Sequence, residues 1–304
     1  MIEFERVPYD EFSYFRDNSD EVGLAWNGPP VVRRTSVEVE SGRSLSALVW
    51  GDGSAEIVFL HGGAQNAHTW DTVALAIDRP MVAIDLPGHG HSDGGRVGSL
   101  DVRANAQDIA LVVRELAPEA GLVVGMSLGG MTALALADHA PDVVRSLVLV
   151  DVTPGVDGPK SQTIANFING PESFPNFDEL LARTIEFNPT RTESSLRRGI
   201  LHNARQLDDG TWVWRYRRIG DGASGPPDFG SLWEVVSAYG GPLALVRGMR
   251  EQSVVDDADE AELLRRRPDA TVVHVEEAGH SIQGDQPVEL ARILAEYLDA
   301  PNDL

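Results

Sequence analysis

Six short, largely apolar runs punctuate this chain: Ile57–Leu60, Met81–Ile84, Leu122–Val124, Leu147–Val150, Leu243–Val246 and Thr271–Val275. A strand wetted on one face alternates apolar and polar residues, whereas a strand covered on both faces has no reason to alternate. The runs therefore predict a buried, parallel sheet. Between them lie segments of helical periodicity, Trp70–Ile77, Val102–Leu116, Leu128–His139, Asp257–Arg267 and Pro287–Leu298, the last opening on a first-turn proline. Strand and helix in alternation give a doubly wound α/β sheet. Residues 34–50 differ: Val37 and Val39, then Leu45, Ala47 and Val49, alternate about a Ser41-Gly42 turn, the pattern of an antiparallel hairpin at a sheet edge.

Roughly 80 residues from Thr153 to Trp233 interrupt the alternation with Pro, Gly, Trp and Arg but no buried-strand run. With 304 residues in all, one large core carrying an insertion is expected: a core of 1–152 and 234–304, and a helical cap of 153–233. Residues 183–218 hold eight arginines against four acidic residues, in a chain of net charge −22. That basic stretch either docks the cap onto an acidic core or meets an anionic substrate. The overall charge excludes a nucleic-acid backbone as partner. The absence of cysteine removes disulfides, thiolate catalysis and Cys-bound zinc. An acidic, broken N-terminus and the lack of a bilayer-length apolar run make a cytoplasmic protein with no membrane partner the expectation. Oligomeric state is not legible in the sequence.

Chemistry concentrates at Gly125-Met126-Ser127-Leu128-Gly129, which follows one apolar run and precedes an Ala- and Leu-rich helix. A nucleophile held on a sharp strand-to-helix turn needs neighbours without Cβ atoms. Its hydroxyl then projects at a helix N-terminus, where amide groups stabilise negative charge. His61-Gly62-Gly63 lies after another strand, so the Gly63 amide is placed to face the same oxygen as that of Leu128; a simple tight turn is the plainer reading. Among eight histidines, His280 follows the last strand and arrives at the sheet end that carries Ser127, which makes it the candidate base. His61 reads as a structural hydrogen-bonder. His89 and His91 lack a third ligand at a useful spacing, so no metal site is expected. Without a Gly-x-Gly-x-x-Gly fingerprint, no cofactor is expected either.

In order and context, His61-Gly62-Gly63, Asp85-Leu86-Pro87-Gly88-His89-Gly90, Gly125-Met126-Ser127-Leu128-Gly129 and Gly279-His280 resemble the α/β-hydrolase superfamily over roughly residues 33–300. The resemblance implies a Ser-His-acid triad and an oxyanion hole at Gly63 and Leu128. Branches that use an aspartate nucleophile do not fit Ser127. The acid remains open: Asp151, directly after the sixth strand, is favoured; Glu251 occupies the usual Gly-x-x-Asp spacing after the seventh; Asp256 and Asp257 read better as helix caps. An ester or lactone hydrolase acting on a small molecule is the expected function. Carbon–carbon cleavage, acyl transfer and a non-catalytic receptor are the rivals. Trp212 and Trp214, with Phe167, Phe174 and Phe187, line an apolar pocket or else form the cap's own core.

Overall fold

The computed structural model describes residues 6–95, 101–217 and 229–299, so Arg218 of the basic stretch lies outside the described residues. The chain begins its sheet with β1 (Val32–Glu40), β2 (Arg43–Trp50), β3 (Ile57–Leu60), β4 (Met81–Ile84), β5 (Leu122–Met126) and β6 (Leu147–Val150). Three short strands follow, β7 (Ser173–Phe174), β8 (Ala204–Gln206) and β9 (Trp212–Trp214), and then β10 (Leu243–Gly248) and β11 (Thr271–Val275). Eight of these form one sheet in the order β1-β2-β4-β3-β5-β6-β10-β11. The pairs β4-β3, β3-β5, β5-β6, β6-β10 and β10-β11 are parallel, while β1 and β2 form the edge hairpin, β2 pairing antiparallel with both β1 and β4.

After β3 the chain steps outward to β4 and then returns to the other side of β3 as β5. That reversal opens a crevice at the carboxyl ends of β3 and β5, the place where such sheets receive ligands. Helices Val102–Leu116, Leu128–His139 and Leu232–Ala238 cover one face. Asp71–Ile77, entered through a 3-10 turn at Ala67–Trp70, and Pro287–Asp299 cover the other. Residues 128–137 are all buried, because this helix is wedged between sheet and neighbouring helices; small Gly and Ala side chains make that depth attainable.

The insertion between β6 and β10 holds helices Gly158–Ile168, Phe177–Phe187 and Glu193–Asn203. It also holds a small antiparallel sheet in the order β7-β9-β8, which corrects the purely helical expectation. Strands of two or three residues are too short to leave an apolar run, and only their pairing partners define them. Residues 7–21 cross from the core to this insertion: the Tyr9 hydroxyl meets Nδ1 of His202 at 3.0 Å, and Glu21 accepts from Arg198 and Thr192.

The loop after β4 is built around Asp85, whose side chain is wholly buried. It accepts from Arg34 at 2.8 Å and from the amides of Ala67 and His91 at 2.7 and 3.0 Å, thereby tying hairpin, 3-10 turn and loop together. Burial opposes this charge, but Arg34, His61 and the amides outweigh it and hold the carboxyl below its ordinary range. Removing one partner of a buried ion pair strands the other. Asp85→Ala is therefore expected to cost about 3 kcal/mol or more in urea unfolding, whereas Glu289→Ala, which breaks the exposed pair with Arg292, should cost less than about 1 kcal/mol.

Candidate active site

Ser127 sits between β5 and the helix Leu128–His139 with φ 51° and ψ −119°, a conformation that non-glycine residues seldom adopt. The glycines on either side explain how the turn closes. A Cβ on Gly125 would stand 2.5 Å from the carbonyl oxygen of Gly129, and one on Gly129 would strike the carbonyls of Leu60 and His61. The His61-Gly62-Gly63 turn is pressed against the same elbow: a Cβ on Gly62 would lie 3.3 Å from that of Ser127, and one on Gly63 would touch the Leu128 side chain at 3.9 Å. His61 is fully buried; its Nδ1 bonds the Gly62 carbonyl at 2.7 Å and its Nε2 accepts from Leu86 at 2.9 Å. It props the loop and leaves no nitrogen for substrate.

Of the four carboxylates that the sequence leaves in contention, Asp151 is the one bonded to His280, through Oδ2 and Nδ1 at 2.9 Å. Asp151 is wholly buried, and its remaining lone pairs accept from the amides of Gly248 and Val254 and from Ser253 Oγ at 2.9, 3.1 and 2.7 Å. With Nδ1–H committed to the carboxylate, Nε2 is the basic nitrogen of the ring. The loop after β10 thus supplies donors to the carboxylate that bonds His280 rather than that carboxylate itself. Glu251 on that loop is exposed, with Gln252 as its partner. Asp256 caps the helix Asp257–Arg266 in a capping box with Asp259, and Asp257 pairs with Arg247.

Ser127 and His280 line one cavity of about 430 Å³, together with Gly62 and Gly63. The insertion forms its roof through Phe167, Ile168, Phe187 and Trp214. Trp212 and Phe174 do not reach it. Trp212 stands between Phe174 and Gln206 at the centre of the small sheet and packs edge-on to Phe177 at 5.0 Å, inside the insertion's own core. Trp214, one pleat further along, passes the end of β7 and stacks on Tyr216 at 5.3 Å beside the cavity.

A model of the alpha/beta hydrolase family matches residues 57–293. The chain belongs to that family. It is 46% identical over 95% of its length to an esterase of Mycobacterium tuberculosis, Rv0045c, of which it covers 96%. A crystal structure of that esterase superposes with a TM-score of 0.84 at 44% identity, covering 97% of this chain and all of the other. A 2-(acetamidomethylene)succinate hydrolase of Mesorhizobium japonicum is 28% identical over 80% of this chain and 88% of its own. Among the described residues, this alpha/beta hydrolase has no helix long and apolar enough to cross a membrane.

One wall of this hydrolase's cavity carries a residue that no motif announces. His68 bonds Asp71 at 2.8 Å and Glu11 at 2.9 Å, and its ring lies 3.8 Å from that of His202, tilted by 15°. Burial works against a charged imidazole there, but Asp71 and Glu11 prevail and raise the pKa of His68 to about 9. His202 goes the opposite way, neutral through burial and the charge beside it. Among the described residues, His68, Asp71 and His202 are the one group with three metal-type ligands in reach of each other. Stacking speaks against a shared ion, because the in-plane lone pairs of two near-parallel rings run side by side instead of converging.

The folded state holds the His68 proton more tightly than the unfolded chain, whose value is near 6.5. Its stabilisation is whole below about pH 6.5 and is lost as the pH climbs through about 9. Denaturant midpoints should fall across that window, and His68→Asn should flatten the fall; an unchanged slope in the variant would refute the assignment.

Proposed function

We propose that the protein hydrolyses a carboxylic ester through an acyl-enzyme on Ser127. In the first half-reaction Ser127 Oγ bonds to the ester carbonyl carbon while its proton passes to Nε2 of His280. The oxygen that gains charge is met by the amides of Gly63 and Leu128. Collapse breaks the carbon–oxygen bond, and the alcohol leaves with the proton from His280. Water then repeats the sequence, giving its proton to His280 and its oxygen to the acyl carbon, and Ser127 recovers its hydrogen. Asp151 fixes the tautomer and supports the imidazolium that forms twice in each cycle.

The observation that carries this reading is that His280, bonded to Asp151 behind it, lines the same cavity as Ser127. The Mycobacterium tuberculosis relative's description as an esterase supports the choice of an ester over a lactone, a carbon–carbon bond or transfer to another acceptor.

Ser127→Ala should abolish labelling by a fluorophosphonate and lower ester turnover about 10⁵- to 10⁶-fold. Asp151→Asn should lower kcat about 10⁴-fold, while Glu251→Gln leaves it unchanged. Labelling that persists in Ser127→Ala would point to another nucleophile. A panel of esters, lactones and carbon–carbon substrates, run against the same variants, identifies the bond that is cut.

A further inference from the structure

Arg191 lines the cavity from the insertion, between helices Phe177–Phe187 and Glu193–Asn203. Its side chain bonds Ser195 Oγ, and no carboxylate of the described residues lies within 4.0 Å of it. Arg183 and Arg215 are likewise half-buried and, among the described residues, hydrogen-bond only to backbone carbonyls, but neither lines the cavity, and five other arginines are handled differently. Arg34 has Glu11 and Asp85, Arg43 has Asp108, Arg198 has Glu21, Arg247 has Glu260, and Arg267 has Asp269. A guanidinium withdrawn from water without a counter-charge is unfavourable.

The electrostatics agree. Burial lowers the pKa of Arg191, with Arg198 acting in the same sense, against a weaker pull from Asp285 and Glu21. For Arg34, Arg43, Arg247 and Arg267 the carboxylates win and the shift is upward. The two acids near Arg191 are already engaged: Asp285 accepts from Thr190 Oγ1 and the Gly279 amide, and Glu21 from Arg198 and Thr192.

Position makes the charge relevant to the reaction. The guanidinium lies directly over Gly284, where any Cβ would collide with it. Gly284 belongs to the short helix Ile282–Asp285 that follows His280, so the cation abuts the segment leading from His280 and shares a cavity with Ser127. Gln283, its neighbour in that helix, also lines the cavity and has a buried Oε1 without a partner.

We infer that Arg191 anchors a carboxylate carried by the substrate, so that the preferred ester is a half-ester whose acyl chain ends in a free acid. The inference rests on the ester reading, since it specifies which ester. A planar guanidinium pairs with a carboxylate through two parallel N–H bonds and thereby fixes the acyl chain relative to Ser127. In a chain of net charge −22, such a local cation is what allows an anion to enter.

The test measures kcat/KM for monomethyl glutarate, adipate and suberate, each beside the methyl ester of the unbranched monoacid of equal chain length, with Ser127→Ala as blank. Wild type should favour the charged member of at least one pair by about tenfold or more, and Arg191→Gln should bring that ratio near one. Gly284→Ala displaces the guanidinium without removing it and should lower the ratio too. Calorimetric titration with glutarate, adipate and suberate reads the anchor without turnover: at least one dianion should bind, about tenfold more weakly to Arg191→Gln. No charged preference and no dianion binding, or either one surviving in Arg191→Gln, overturns the inference. Ser127-dependent turnover of neutral esters without charge preference would remove the anchor and leave the esterase reading standing. Ester turnover undiminished in Ser127→Ala, with dianion binding still dependent on Arg191, would do the reverse.

Discussion

Between β3 and β5 two stretches of backbone approach so closely that only hydrogen fits between them. The carbonyls of Leu60 and His61 occupy the space that a side chain at Gly129 would need, and Gly125 faces the carbonyl of Gly129 in the same way. That crossing forces Ser127 into its uncommon φ and brings the His61-Gly62-Gly63 turn against it. The strain at one serine persists because the flanking strand and helix, both buried, leave the chain no alternative route. Ser127, the turn at Gly62-Gly63 and the loop that carries His280 are therefore set by the sheet and not by one another.

Around this frame three of the buried aspartates, Asp71, Asp85 and Asp151, are managed by three means. Asp85 has an arginine and amides, Asp151 has amides, a hydroxyl and His280, and Asp71 shares a proton with His68. The first two are surrounded by donors and stay in place. Asp71 keeps one oxygen without a partner, as His202 keeps Nε2, and both residues border the cavity. Together with Gln283 Oε1 they give the cavity wall three unpartnered polar atoms that a ligand can reach.

Much of the fold is legible in the amino-acid sequence, because sheet burial writes itself into runs of apolar residues. β3, β4 and β6 have the limits and the burial that those runs predict, and β5 and β10 extend two residues further, into Gly125-Met126 and Arg247-Gly248. β11 has the predicted limits but, as the edge strand, buries only Val275. The acidic first turn after Asp256 is recognisable as a cap for the same local reason. Position at a strand end favours Asp151 as the acid, but its bond to His280 spans 129 residues and cannot be read from spacing. The insertion is where inference from pattern weakens. Trp212 and Trp214 share a strand face, and which one meets the cavity depends on where β7 ends. His68 and Arg191 carry no motif at all: each matters through neighbours distant in the chain, Glu11 and His202 for one and Gly284 for the other.

The crossing segment at residues 7–21 has a kinetic corollary. Its bonds to Arg198 and His202 join positions 177 and 193 residues apart, among the longest closures in the molecule. Contacts of such separation require the largest loss of chain entropy before they return any stabilisation, so they form late when a chain folds. The sheet can assemble while the lid over Ser127 is still unsecured. Active protein should accordingly appear after compact protein, with the delay set by how quickly the amino-terminal arm finds its seat.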